Sequence, residues 1–244
     1  MSEPLSSALC ANDPLIALVP AAGVGSRAAS DGAGFPKQYR SLRGEPMLRH
    51  AVRALLADAR IARVLVAVSP QDGWAGEALD GLPRTTWQAC GGATRADTVA
   101  QSLGVLSAEG VTDSAWVLVH DAARPGLPAA ALARLIDACL PHPTGGLLAV
   151  PVPDTVKQAA ASGDPAVVAR TIDRNGLWLA QTPQMFRLGI LRAALAHAST
   201  QAIAVTDEAS AVEACGLAPR LVPGSARNFK VTWPEDFDLM EKWL

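Results

Sequence analysis

Leu15 to Tyr39 read LIALVPAAGVGSRAASDGAGFPKQY. Leu15 to Val19 is an unbroken apolar run, closed by Pro20 and a glycine-rich turn. A strand buried on both faces of a parallel sheet has this pattern, continuous rather than alternating. The turn Gly23-Val24-Gly25-Ser26-Arg27-Ala28 fits G-x-G-x-x-G/A, the dinucleotide fingerprint that follows the first strand of a Rossmann unit. Its glycines let backbone approach phosphate, and a helix start after it offers free N–H groups to an anion. That suits a dinucleotide and a triphosphate equally. A dehydrogenase places an acidic residue at the tip of its second strand to hold the ribose. Here that strand, Arg63 to Val68, ends in Ser69-Pro70 with Asp72 farther along. Arg27 and Lys37 instead put two permanent cations over the same phosphates, where transition-state charge develops. Either alone reads as a surface cation; beside this turn the pair favours a triphosphate.

Working outward, helix and strand patterns alternate. Met47, Leu48, Ala51, Val52, Leu55 and Leu56 give helical spacing over 46–58. A strand follows at 63–68, a weaker one at 85–90, and a helix at 94–108 with Val99, Leu103 and Leu106 on one face. Trp116 to Val119 is another buried strand, and 127–140 a helix with Pro128 near its start, where a missing N–H costs little. The alternation predicts an α/β fold, a mainly parallel sheet with helices on both faces. A strand at 147–152 then gives way to a polar loop through Asp164, strand-like residues at 167–172 and the turn Asp173-Arg174-Asn175-Gly176. A hairpin here is too polar for its own core, so it either folds back on the main sheet or reaches a second subunit. Helices at 188–198 and 207–215, a strand at 218–222 and a helix at 234–244 complete the chain.

At 244 residues, half of them hydrophobic, the chain is long enough for one large domain without staples. A net charge of −2 leaves no electrostatic footprint for nucleic acid or an anionic membrane surface. Cys10, Cys90, Cys139 and Cys215 are scattered without a C-x-x-C pair, which speaks against zinc or a disulfide framework and for a reducing cytoplasm. Residues 1–14 read as a tail that lacks the basic start of a signal peptide. No run approaches the roughly 20 apolar residues of a membrane span.

Two further clusters fall where ligands bind in open α/β sheets, outside the carboxyl ends of strands. His120-Asp121-Ala122-Ala123-Arg124-Pro125 follows the Trp116–Val119 strand. Asp121 and Arg124 can hold a hydroxyl, a metal or a phosphate, or pair with each other for structure alone, and His120 reads as a packing residue. Lys230 lies in Asn228-Phe229-Lys230-Val231-Thr232, a lone cation beside apolar neighbours, and upstream Thr206 reads as the N-cap of the following helix.

The ordered set Pro20-Ala21-Ala22-Gly23-x-Gly25-x-Arg27, Pro36-Lys37-Gln38-Tyr39, His120 to Pro125, Asp173-Arg174-Asn175-Gly176-Leu177-Trp178, Thr182-Pro183-Gln184, Thr206-Asp207-Glu208-Ala209-Ser210 and Lys230-Val231-Thr232 resembles the 2-C-methyl-D-erythritol 4-phosphate cytidylyltransferase family from about Ile16 onward. The resemblance implies a three-layer nucleotidyltransferase domain over 15–244, with a β-arm at about 153–178 that crosses to the partner of a homodimer. It implies CMP transfer from CTP to a sugar-alcohol phosphate, with Mg2+ held mainly by the triphosphate; the metal's protein ligands stay unassigned. Arg27 and Lys37 match the family's transition-state cations, and Arg174 and Lys230 the residues that position the incoming phosphate. Ala21, Ala22, Gly23, Gly92 and Thr98 match the nucleotide site, and Pro20 and Gly25 of the same motif are expected to bind the nucleotide with them. Asp121, Ala122, Arg124, Thr155, Thr182 and Thr206 match the surroundings of the substrate. Ser26 and Ala93 depart from the family's frequent arginine and acidic residue, and Thr98 keeps the hydroxyl of a frequent serine. A sister enzyme acting on ribitol 5-phosphate shares the loop and strand-end motifs; the Asp173 to Trp178 run favours methylerythritol phosphate.

Overall fold

Alternate residues of β1 (Leu15–Pro20) enter two different cores, as the continuous apolar run requires. In the computed structural model, which describes residues 13–23, 36–161 and 166–244, β1 lies inside a seven-stranded sheet. It pairs in parallel with β4 (Ile61–Ala67) on one side and β6 (Trp116–Val119) on the other. β5 (Thr85–Gln88) extends the sheet in parallel beyond β4. The minor ribbon of β2 (Ser41–Leu42) and β3 (Glu45–Pro46) lies before α1 (Met47–Leu56).

Leu15, Ala17 and Val19 pack with Leu48, Val52 and Leu55 of α1 and with Leu132, Leu135 and Ile136 of α4 (Ala129–Cys139); the short α2 (Ala75–Leu79) joins this layer. Ile16 and Leu18 pack on the other face with Val99, Leu103 and Leu106 of α3 (Arg95–Ala108), Leu191 and Leu195 of α5 (Leu188–Thr200), and Val212 of α6 (Glu208–Ala214). This is the three-layer α/β/α arrangement. A third cluster joins Phe237 and Met240 of α7 (Pro234–Trp243) to Leu42, Met47, Ala123 and Val231. It seats the Lys230–Val231 strip beside the end of β6.

One central strand is absent from the sequence expectation. β10 (Trp178–Arg187) runs antiparallel between β6 and β7 (Gly146–Pro151). Its Gln181, Thr182, Pro183 and Gln184 read against a strand, because proline breaks a ladder and polar side chains do not suit a core. The structure meets both objections. Pairing with β7 shifts register between Ala180 and Gln184, and the polar side chains are buried with hydrogen-bond partners. β11 (Arg220–Pro223) closes the far edge in parallel with β7.

β8 (Val156–Ala159) and β9 (Val168–Ile172) form a separate two-stranded antiparallel sheet. The hairpin thus forms no ladder with the main sheet. Val167 and Val168 are 57% and 62% exposed on it.

Candidate active site

The carboxyl ends of β1, β5 and β6 open into a cavity of about 650 Å3, whose wall also includes Lys37 and Lys230. Three sequence-predicted segments meet there. Pro20, Ala21, Ala22 and Gly23 line it from the end of β1, Gly92 from the β5–α3 connection, Thr98 from the first turns of α3, and Asp121 and Ala122 from the end of β6. Gly25 and Arg27 lie outside the described residues. A methyl group on Gly91 would sit 2.2 Å from the Ala22 Cβ and 2.8 Å from the Val68 carbonyl oxygen. The absent side chain is what lets the two loops touch. Gly92 N–H donates to Thr98 Oγ1 (3.0 Å), whose own proton goes to the Thr94 carbonyl (3.0 Å).

Asp121 is the electrostatic centre. Its Oδ1 accepts from Arg95 Nε (3.0 Å), and Oδ2 faces Lys230 Nζ (2.9 Å) and Arg124 Nε (3.6 Å). Burial opposes its ionisation, but Arg95, Lys230 and Arg124 together hold the carboxyl well below the usual carboxylate range. Its backbone N–H donates to Thr182 Oγ1 (3.0 Å), so the β10 residue fixes the peptide that carries it.

His120 is fully buried beneath this peptide. Its Nε2 lies 3.0 Å from the Arg124 carbonyl, which only accepts, so Nε2 carries the proton. Nδ1 then accepts from the Thr182 hydroxyl at 3.0 Å. Burial pulls its pKa down to about 4, so at neutral pH the ring is uncharged and both nitrogens are engaged. It is a packing residue, as expected, and its proton holds the loop in place.

Arg95 and Glu208 were not singled out from the sequence. The Arg95 Nη1 and Nη2 groups grip the two oxygens of Glu208 at 2.6 and 3.0 Å, while Nε reaches Asp121. Burial pushes the Glu208 carboxyl upward despite this fork, and the two carboxylates together raise the Arg95 pKa against desolvation. The available signal was Arg95 itself, since a cation in the first turn of a helix opposes the helix dipole and calls for a nearby anion.

The remaining predicted residues stand around the cavity rather than in its lining. Arg124 Nη1 donates to the Asn228 carbonyl (2.7 Å), and buried Asn228 donates to the Thr182 carbonyl (2.7 Å). Thr206 does not cap α6. Asp207 does, accepting from Ser210 N–H at 2.9 Å, while Thr206 lies one residue earlier. Gln184 holds this helix start from β10, donating to Asp207 (2.8 Å) and accepting from Ala209 N–H (2.7 Å). Thr155 and Arg174 lie in the arm region, both exposed, with Arg174 donating to the Pro153 carbonyl. They are not in the cavity lining of their own chain.

The sequence profile of one family, described as IspD: 2-C-methyl-D-erythritol 4-phosphate cytidylyltransferase, matches residues 15–244. The chain belongs to that family. A Bordetella pertussis relative bearing the family's name is 66% identical over 234 residues, 96% of this chain and all of the relative. A crystal structure of 4-diphosphocytidyl-2C-methyl-D-erythritol synthase superposes with a TM-score of 0.81 at 39% identity, covering 95% of this chain and 98% of that one. The Francisella tularensis cytidylyltransferase superposes with a TM-score of 0.79 at 31% identity, covering 95% of this chain and all of its own. Family membership makes this chain a cytidylyltransferase, and the cavity at the strand ends is where a nucleotide belongs in such a sheet.

Proposed function

We propose that this cavity transfers CMP from CTP to 2-C-methyl-D-erythritol 4-phosphate by in-line attack. A phosphate oxygen of the acceptor bonds to the α-phosphorus of CTP. The bond from that phosphorus to the α–β bridging oxygen breaks, and pyrophosphate leaves with the electron pair. A phosphate monoester has a second pKa of about 6, so the nucleophile is already a dianion at neutral pH and no proton needs removing. The observation that carries this reading is the crowding of Arg95, Arg124 and Lys230 around the single carboxylate of Asp121, with Lys37 on the same cavity wall. The work left to the protein is bringing two polyanions together and holding them in line, placement worth roughly 7–11 kcal/mol of barrier.

In this reading Lys37, with Arg27, stabilises charge developing on the triphosphate, and Lys230 turns from Asp121 toward the incoming phosphate. The planar fork of Arg174 suits two-point capture of that phosphate. Because Arg174 does not line the cavity of its own chain, we assign it and Thr155 to the site of a second copy, with the arm as the dimer contact. The exposed Val167, Val168 and Leu179, half or more accessible, support that assignment, as does the weakness of a lone two-stranded sheet.

The donor set suits a hard divalent cation shared with the substrate. Among the described residues Asp121, which is ionised, is the only carboxylate lining the cavity, and no three His, Cys, Asp or Glu side chains gather around one point. Magnesium keeps several waters and takes one or two carboxylates plus substrate phosphates. When bound it would neutralise triphosphate charge, and Asp121 would be the residue to hold it, directly or through a water.

A cytoplasmic location is consistent with the scattered cysteines and with the described residues, where no helix is long and apolar enough to cross a membrane. The direct test is pyrophosphate release from CTP and Mg2+, with methylerythritol 4-phosphate and ribitol 5-phosphate supplied in parallel. Release with the former alone is expected. Release with ribitol 5-phosphate alone would reassign the acceptor and leave the transfer chemistry standing.

A further inference from the structure

The 3-10 turn Lys37–Tyr39 is tied to a different part of the fold by each of its residues. Lys37 Nζ donates to the Val231 carbonyl (2.5 Å), one residue from Lys230. Gln38 Nε2 donates to the Ala21 carbonyl (2.7 Å). Tyr39 Oη donates to Asp72 Oδ2 (2.6 Å), while Asp72 Oδ1 accepts the Trp74 and Ala75 N–H groups at the start of α2.

The middle tie stands out. Gln38 is only 7% exposed, and a buried amide is retained at a cost that a methionine of similar size would avoid. Its acceptor belongs to the first residue after β1, which lines the cavity and whose own N–H donates to the Ala67 carbonyl (2.7 Å). The Ala21 residue is thus gripped by β4 on one side and by Gln38 on the other.

We infer that Gln38 is a positioning residue for the transfer reaction: its amide fixes the separation between the turn carrying Lys37 and the loop that opens at Ala21 to receive the phosphates. The inference rests on the reading of Lys37 as the cation that acts on those phosphates. Gln38 itself lines the cavity, and with its amide donated to the Ala21 carbonyl its inferred effect runs through Lys37 and the loop.

Gln38→Met fills the same space without the donor. It is expected to lower kcat about 10- to 100-fold with less change in KM for CTP, the penalty of a displaced catalytic group. Gln38→Glu supplies the sharper readout. A carboxyl donates to the Ala21 carbonyl only when protonated, so its kcat, normalised to the wild-type profile, should recover up to about tenfold per pH unit as pH falls. A flat normalised profile overturns the inference. A rise in kcat at low pH supports it when the variant's Tm, followed over the same range, stays level, since a packing defect would move Tm and kcat together. If Gln38→Met does not fold, the Gln38→Glu profile decides by itself. Lys37→Met and the Lys37→Met/Gln38→Met pair complete the test. Full kcat in Lys37→Met removes the reading of Lys37 and the inference with it. A large loss in Lys37→Met with wild-type kcat in Gln38→Met overturns the inference alone. A double variant no worse than Lys37→Met is the supporting result, and additive losses count against it.

Discussion

Lys230 Nζ lies 2.9 Å from Asp121 Oδ2, the same oxygen that faces Arg124 Nε at 3.6 Å, so one carboxylate oxygen restrains two cations. Asp121→Asn keeps the shape and removes the restraint. Pyrophosphate, the anionic product, is then expected to inhibit about tenfold more strongly, equivalent to about 1.4 kcal/mol, while kcat falls. Product-inhibition kinetics measure both. An unchanged inhibition constant would show that the cations do not share their charge with bound phosphates.

The arm is expected to complete the neighbouring site. Arg174→Ala should raise KM for the sugar phosphate and leave KM for CTP near its wild-type value. Mixing Arg174→Ala with Lys37→Met subunits creates hybrids in which one site has both residues intact. With free exchange, activity should return to about a quarter of wild type, since half of the dimers are hybrids with one good site each. Absence of recovery after mass spectrometry has verified exchange would place Arg174 in its own subunit's site.

Glu208 is almost fully buried against the Arg95 fork. Removing Glu208 leaves the Arg95 guanidinium with two unmet N–H groups and only Asp121 to balance its charge, so Glu208→Ala is expected to cost about 3 kcal/mol. In a domain of this size that is a fall of roughly 10 °C in Tm, readable by calorimetry. Replacing both partners, Arg95→Met with Glu208→Leu, should recover much of the loss while kcat stays low, because Asp121 loses the cation on its Oδ1 side. Equal destabilisation by the single and double variants would mean that packing around α6, not charge, dominates.

Stability should also report on His120. An unfolded histidine titrates near 6.5, whereas burial holds the folded ring at about 4. The unfolded state therefore binds a proton first as pH falls, and the stability present above about pH 6.5 is lost progressively toward pH 4. Between about pH 7.5 and pH 5 this group alone should remove about 2 kcal/mol. Urea denaturation across that range should show the loss, and His120→Gln should flatten that segment. An identical slope in the variant would assign the pH dependence to other groups.

The contrast between what the sequence discloses and what it hides follows from distance along the chain. β1 and its loop are legible because the apolar run, the proline and the glycines are consecutive. The His120 to Pro125 cluster is legible because the strand before it is wholly apolar. The Arg95–Glu208 fork joins residues 113 positions apart, and neither local pattern announces the other. Glu208 sits in the first turn of a helix, where an acidic side chain is ordinary. β10 is hidden for a different reason. Its polar residues are internal ties, Thr182 to Asp121 and His120, Gln184 to the start of α6, and Gln181 to Ser225. Strand reading by hydrophobic alternation cannot anticipate side chains whose partners come from three other segments.

The place of β10 also sets an order on biosynthesis. The sheet runs β11-β7-β10-β6-β1-β4-β5, so the parallel block β5-β4-β1-β6 can assemble as soon as its own residues have emerged. β7 emerges next but has no edge to join, because β10 must lie between it and β6. At about 5–20 residues per second, the ribosome leaves the apolar Trp116–Val119 edge without its lateral partner for several seconds. During that interval a growing chain presents an open, fully apolar strand of the kind that pairs with neighbours. The strand that carries the site's internal ties is thus also the one that ends the nascent enzyme's exposure to aggregation.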